Sequence, residues 1–240
     1  MLRYLARVFV TGTDRPASAA NFGAFAKALG RDDYLPLPFN EVGPSGVHAR
    51  IGLCSADATR LVFVRSESVD FEYRQPRDPN HGRPSLADFC QDGGELLSHA
   101  LDFLEARAHR IAALQEGLLR EMPAAAMDSV ARKLLAIPPR WAGQAPFEWD
   151  WRAAVQIERQ FGGDPEVTNT IATVKRLSGK FNDGAAFDRL FVAMDVNTTP
   201  GRTEPRFDEG LVRGFFGHAA AWHDELGQDV LAFCGVLDDA

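Results

Sequence analysis

The sequence predicts an α+β protein: a mainly antiparallel sheet contributed by two strand-rich halves, with a long helix and further helices covering one face. Three observations predict it. Apolar and polar residues alternate over residues 47–75 and again over 147–158, the period-two signature of strands with one covered face. Over 97–122 and 208–226 the apolar spacing lengthens to three and four, the helical period. In both halves strands come first and a helix follows, punctuated by Gly and Pro.

In chain order, the alternation of Leu2, Tyr4, Ala6, Val8 and Val10 with Arg3, Leu5, Arg7 and Phe9 predicts a first, two-sided strand. Pro16 starts a helix whose stripe is Phe22, Phe25 and Leu29, and Gly30 stops it. Residues 47–75 read as three strands of a meander, with Asp70, Glu72 and Arg74 on the polar side of the last. Ser85 and Asp88 form a capping box at the start of the longest helix, which runs through Leu97, Leu101, Ile111 and Leu118 to Met122 and is weakened by Gly93-Gly94. A shorter helix covers 124–136. The stretch "PFEWDWRAAVQIE" alternates again, and "VTNTIATVKRLSG" and "FDRLFVAMDVNT" add two strands. A helix over 208–226 carries Leu211, Phe215, His218, Trp222 and Leu226, and "DVLAFCGVL" ends the chain as strand or helix.

These elements predict a single α+β domain over 1–240. "FEYR" at 71–74 echoes "WDWR" at 149–152, which suggests pseudo-repeat halves, 1–122 and 147–240, joined by a helix and a Pro-rich connector over 123–146. The halves form one sheet or two adjoining ones.

A net charge of −7 argues against a general nucleic-acid or anionic-membrane binder. No apolar run reaches the roughly 20 residues of a membrane span, and Arg3 and Arg7 spoil the N-terminus as a signal peptide. Cys54, Cys90 and Cys234 are far apart, which favours reduced, structural thiols and a cytoplasmic location.

No dinucleotide fingerprint, P-loop, HExxH, GxSxG or EF-hand loop occurs, so no cofactor and no metal are expected. Asp195 and Asn197 share one face of a strand, where a carboxylate and an amide two residues apart can hold a cation or a substrate hydroxyl. The competing reading makes them a strand end that bonds the "TTPG" turn. His218 and His223 stand about 140° apart around a helix, too far for one zinc site, and His218 in the apolar stripe reads as a hydrogen-bonded, partly buried side chain. The polar strand faces bring His48, Arg50, Asp70, Glu72, Arg74, Glu148, Asp150, Arg152 and Lys175 into consideration as one mixed-charge surface or as a solvated face. Trp149, Trp151 and Trp222 belong to the core; Trp141, in the connector, is the tryptophan expected at the surface against a partner.

The strand ending in "DVNT", the loop after it and the helix "FFGHAAAWHDEL" resemble an uncharacterised, sporadically distributed family of bacterial proteins of about this length, most closely over 187–226. The resemblance implies an α+β fold and a gene neighbourhood of the defence or toxin–immunity kind, and no catalytic residues. The resulting expectation is a non-enzymatic cytoplasmic binding or accessory protein that acts through a protein partner or a second copy of itself. The alternative is a small-molecule-binding protein or enzyme with its pocket between sheet and long helix. Candidate binding residues are Arg74, Asp150, Arg152, Asp195, Asn197 and His218. A nucleic-acid partner would need Arg3, Arg7, Arg50, Arg74 and Arg152 to form one basic stripe.

Overall fold

Each half of the chain lays strands side by side and returns over them with a helix. The structure, a computed structural model, describes residues 2–12, 15–44, 46–76, 82–136, 139, 143–144, 146–181 and 184–234. The elements are β1 (Leu2–Phe9), α1 (Ala19–Ala28), β2 (Leu35–Pro36), β3 (Phe39–Gly43), β4 (Gly46–Arg50), β5 (Gly52–Cys54), β6 (Arg60–Val64), β7 (Ser68–Arg74) and α2 (Leu86–Leu104), then β8 (Arg110–Leu118), α3 (Ala124–Leu134), β9 (Trp149–Arg159), β10 (Glu166–Lys180), β11 (Ala186–Thr198) and α4 (Glu209–Cys234). Nine strands form one antiparallel sheet in the order β2-β5-β6-β7-β1-β8-β11-β10-β9, and β3 and β4 form a separate hairpin. The α+β class and the antiparallel sheet are as predicted. Trp141 and His81 fall outside the described residues.

The helices lie on one side of the sheet because the strands direct their apolar residues there. Tyr4, Ala6 and Val8 of β1 join Val69, Phe71 and Tyr73 of β7 under Phe89, Leu97 and Leu101 of α2. A second cluster sets Met127 and Val130 of α3 against Val174, Leu190 and Val192. Each fully buried large apolar side chain contributes about 1.5–3 kcal/mol. The capping box forms as read: Ser85 Oγ accepts from the Asp88 amide at 3.0 Å, and the Ser85 amide donates to the Asp88 carboxylate at 3.3 Å.

Four expectations change. Helix α2 ends at Leu104, where Glu105 turns into the left-handed region (φ 51°), and residues 110–118 form strand β8. In "RIAALQEGL" Ile111, Leu114 and Leu118 keep the helical spacing of three and four, while Ile111 and Ala113 alternate as a strand requires. The residues favour a helix on propensity, but pairing on both edges with β1 and β11 overrides it. Gly93-Gly94 is not a break but a close-packing point: a Cβ on Gly93 would stand 3.0 Å from the Ala6 Cβ, and one on Gly94 would stand 3.0 Å from that of Phe216. The first meander starts later than read, because β4 pairs with β3 and leaves β5, β6 and β7 to the main sheet. Finally, α4 does not stop near Leu226 but continues to Cys234, so "DVLAFC" takes the helical one of its two readings.

The sheet order reads in two runs. Strands β5, β6, β7 and β1 stand on one side of the centre, and β9, β10, β11 and β8 mirror them on the other. The element order strand, helix, three strands, helix recurs, with β2 and the β3–β4 hairpin inserted in the first run. A repeat on this plan begins its second unit at β8, and it sets "FEYR" of β7 against β11 rather than against "WDWR" of β9.

Two predictions follow from the packing. Gly214 on α4 lies against the Phe161 carbonyl, which a Cβ would strike, whereas a Cβ on exposed Gly217 meets nothing within 4 Å. Gly214→Ala should cost about 1–3 kcal/mol and Gly217→Ala should stabilise by about 0.5–1 kcal/mol, read by urea denaturation. The second concerns His223, which is 1% exposed and whose Nε2–H donates to the Ala113 carbonyl at 3.1 Å. Burial holds its pKa down at about 4, against an ordinary 6.5. Between those values the unfolded chain binds the extra proton, so this contribution is complete above about pH 6.5 and is lost as pH falls toward 4. The loss reaches about 3 kcal/mol. Denaturation midpoints should fall on acidification through this window, and His223→Gln should flatten the slope.

Candidate functional site

The face of the sheet opposite the helices carries the charged residues. On β1 and β7 the odd and even positions, respectively, point there, so Arg3, Leu5 and Arg7 stand beside Arg74, Glu72 and Asp70 in register. On β8, β11, β10 and β9 the same side holds Leu114, Asp195, Ile171 and Ala154 in one row, and Ala112, Asn197, Asn169 and Gln156 in the next.

In the first run the charges close on one another. Asp70, with no exposed surface, accepts from Arg7 Nε at 2.6 Å, Arg7 Nη2 at 2.7 Å, Arg65 Nε at 2.8 Å and Ser68 Oγ at 3.1 Å. Glu72 accepts from Arg3 at 2.9 Å and from Arg74 at 2.7 and 2.9 Å, and Arg3 also reaches Glu116 at 3.0 Å. These carboxylates are out of water, and only the bidentate, charge-assisted geometry makes that tolerable.

The second run is built differently. A chain of amides crosses three strands: Gln156 donates to Asn169 at 3.3 Å, Asn169 to Asn197 Oδ1 at 3.1 Å, and Asn197 Nδ2 to Asp195 Oδ1 at 3.0 Å. Arg110, which lies over the Phe9 ring at 4.6 Å, also donates to Asn197 Oδ1, at 3.0 Å. Asn197 is fully buried. Asp195 makes no salt bridge with any described residue. Burial raises its pKa above the ordinary carboxylate range, against the bond from Asn197 and the positive fields of Arg110, Arg152 and Arg7. A carboxyl group so placed can accept a hydrogen bond from a ligand and exchange a proton with it.

The sequence candidates divide accordingly. Asp195 and Asn197 come together, bonded to each other and to β8 and β10 rather than to the "TTPG" turn. Exposed Arg152 shares their face and their field. Asp150 is taken by Lys175 at 2.7 Å, and Arg74 by Glu72. Five strand positions separate β7 from β9, roughly 24 Å, so the two charged strands of the sequence reading do not converge. His48 and Arg50 belong to the β3–β4 hairpin, where Arg50 pairs with Glu41 at 2.8 Å. Arg3, Arg7 and Arg74 are neutralised by acids, so the basic stripe required for nucleic acid is not assembled. His218 is exposed on α4, stacked on Trp222 at 5.7 Å and across the sheet from Asp195; the buried histidine of that helix is His223. Sequence reasoning missed Arg110 and Asn169. Arg110 lay in the segment read as helix, and Asn169 is found only once β10 is paired with β11.

Among the described residues no group of three His, Cys, Asp or Glu is arranged to hold a metal, and no helix is long and apolar enough to cross a membrane. Cys90 is buried, and burial pushes its thiol up to about 12, so it is unreactive.

No family model and no curated protein matches the chain. Among solved structures it is similar to a rolling circle replication initiator protein from Geobacillus stearothermophilus, at 12% identity and a TM-score of 0.32, over 91% of this chain and 78% of that one. At that level the likeness carries no argument about activity. The expectation of a non-enzymatic accessory protein acting through a protein partner is corrected by the sheet itself. The strand-face charges meant to engage a partner, Asp70, Glu72 and Arg74 among them, are consumed by bonds within the sheet.

The two aspartates should respond oppositely to loss of charge. Asp70→Asn strands Arg7 and Arg65 and should cost about 3 kcal/mol or more. Asp195→Asn removes a desolvated charge that no cation among the described residues touches and should change stability by less than about 1 kcal/mol, as read by denaturant titration of both variants.

Proposed function

We propose that the open face of the sheet binds a small polar ligand around Asp195 and Asn197, with Asp195 as hydrogen-bond acceptor and as a group able to exchange a proton. One observation carries this reading. Asp70, Glu72, Glu116 and Asp150 on the same face are each held by an arginine or lysine, whereas among the described residues the Asp195 carboxylate receives only the Asn197 amide. A half-buried carboxylate with a free oxygen costs stability, and its place at the end of an ordered amide chain points to a preformed site. The site lies on the opposite side of the sheet from the long helix, so the pocket sought between sheet and helix is not the one favoured. The resemblance over 187–226 covers β11 and most of α4, and so includes Asp195 and Asn197; we propose membership of that family on this basis.

The test is a thermal-shift panel of small hydroxyl- and amine-bearing compounds at millimolar concentration. A true ligand should raise the wild-type melting temperature by several degrees at about 100 times its Kd, and Asp195→Asn should abolish that shift while leaving the unliganded melting temperature near wild type. Shifts that survive Asp195→Asn would place binding elsewhere and overturn the reading.

A further inference from the structure

The two runs of the sheet serve as controls for one another. Superposing β1 on β8 about the pair Ala6–Ala113 sets Arg3 on Arg110, Asp70 on Asp195 and Glu72 on Asn197. The hydrogen bonds confirm this match: Arg3 reaches Glu72 and Arg110 reaches Asn197, in each case the residue two before the register partner's position on the neighbouring strand. Against this common plan the differences stand out. The counterpart of Arg7, which clamps Asp70, is Leu114, and the counterpart of the acid Glu72 is the neutral Asn197.

The charge balance changes with them. In the first run Arg3, Arg7, Arg65 and Arg74 face Asp70, Glu72 and Glu116, all joined by short bonds. In the second, Asp195 is answered by Arg110 through the shared Asn197 amide. That leaves Arg152, exposed on β9, as a cation with no carboxylate within bonding distance among the described residues. Arg152 is in register with Thr173, and Thr173 with Ala193, so Thr173 and Ile171 of β10 lie between it and Asp195, one row along and two strands away. That geometry gives about 12 Å between the two Cα positions, a gap that the arginine side chain narrows to the span of a three- or four-carbon molecule.

Resting on the reading above, we propose that the ligand is a small anion that also carries a hydroxyl or amine. Its carboxylate or phosphate pairs with Arg152, and its hydroxyl or amine donates to the free oxygen of Asp195. Neither contact alone gives specificity; the fixed separation of acceptor and cation does.

Isothermal titration of the full chain at low ionic strength tests this with sn-glycerol 3-phosphate and L-malate, against inorganic phosphate and glycerol. At least one of the hydroxyl-bearing anions should bind about tenfold or more tightly than inorganic phosphate, and exposed Arg152→Gln, which leaves the fold intact, should remove that advantage. Whichever of the two binds identifies the anionic group. Equal affinities for inorganic phosphate and both larger anions, or affinities untouched by Arg152→Gln, overturn the proposal. Asp195-dependent binding of glycerol without any preference for the anions would end this assignment and keep the binding site. If no probe binds in an Asp195-dependent way, this assignment falls; the site itself falls only if the broader panel also yields nothing.

Discussion

Everything in this molecule hangs on the antiparallel pairing of β1 with β8. The two strands align over eight residue pairs, from Leu2 opposite Gly117 to Phe9 opposite Arg110, and join what would otherwise be separate sheets of five and four strands. The middle of that pair is Ala6 opposite Ala113, both buried. Small side chains there let α2 come down on β1 through Gly93, and let α4 send His223 onto the Ala113 carbonyl. A larger residue at either alanine would lift the helix layer from the seam where the halves meet.

The same seam fixes the opposite face. Because side chains alternate, burying Tyr4, Ala6 and Val8 under helices forces Arg3, Leu5 and Arg7 outward, and burying Ile111 and Ala113 does the same to Arg110 and Leu114. The arginines of the two central strands thereby face the acids of β7 and β11. Register then decides which acid each can reach. Arg7 lies directly beside Asp70 and clamps it; the equivalent place beside Asp195 holds Leu114, which cannot.

Much of this was legible beforehand. Alternation in β1, β7, β9, β10 and β11 names the residues of each face, and the capping box marks where α2 begins. Asp195 and Asn197 were visible as an acid and an amide on one side of a strand. What could not be read were features set by partners distant in sequence. "RIAALQEGL" is a strand because two neighbours hydrogen-bond to it, and its own residues favour a helix. The separation of β7 from β9 depends on β8 and β1 lying between, which no local pattern encodes. Spacing sets His218 in the apolar stripe as a partly buried side chain, but it is exposed, and Ala219, Trp222 and His223 face inward.

The contrast between Asp70 and Asp195 bears on why a folded protein would keep the second at all. A carboxylate removed from water is costly, and the surrounding chain can offset that cost with cations, as it does for Asp70, or leave it partly uncompensated. An uncompensated group in an interior would be replaced at no loss by an amide or an apolar residue. At Asp195 the surroundings are neither apolar nor indifferent: Asn197, Asn169 and Gln156 orient their donors in sequence toward it, and Arg110 closes the chain from the other side. Such a chain rigidifies the carboxylate without discharging it, which leaves an oriented acceptor on an open face. Rigidity without neutralisation is what a binding site requires and what a purely structural ion pair does not supply.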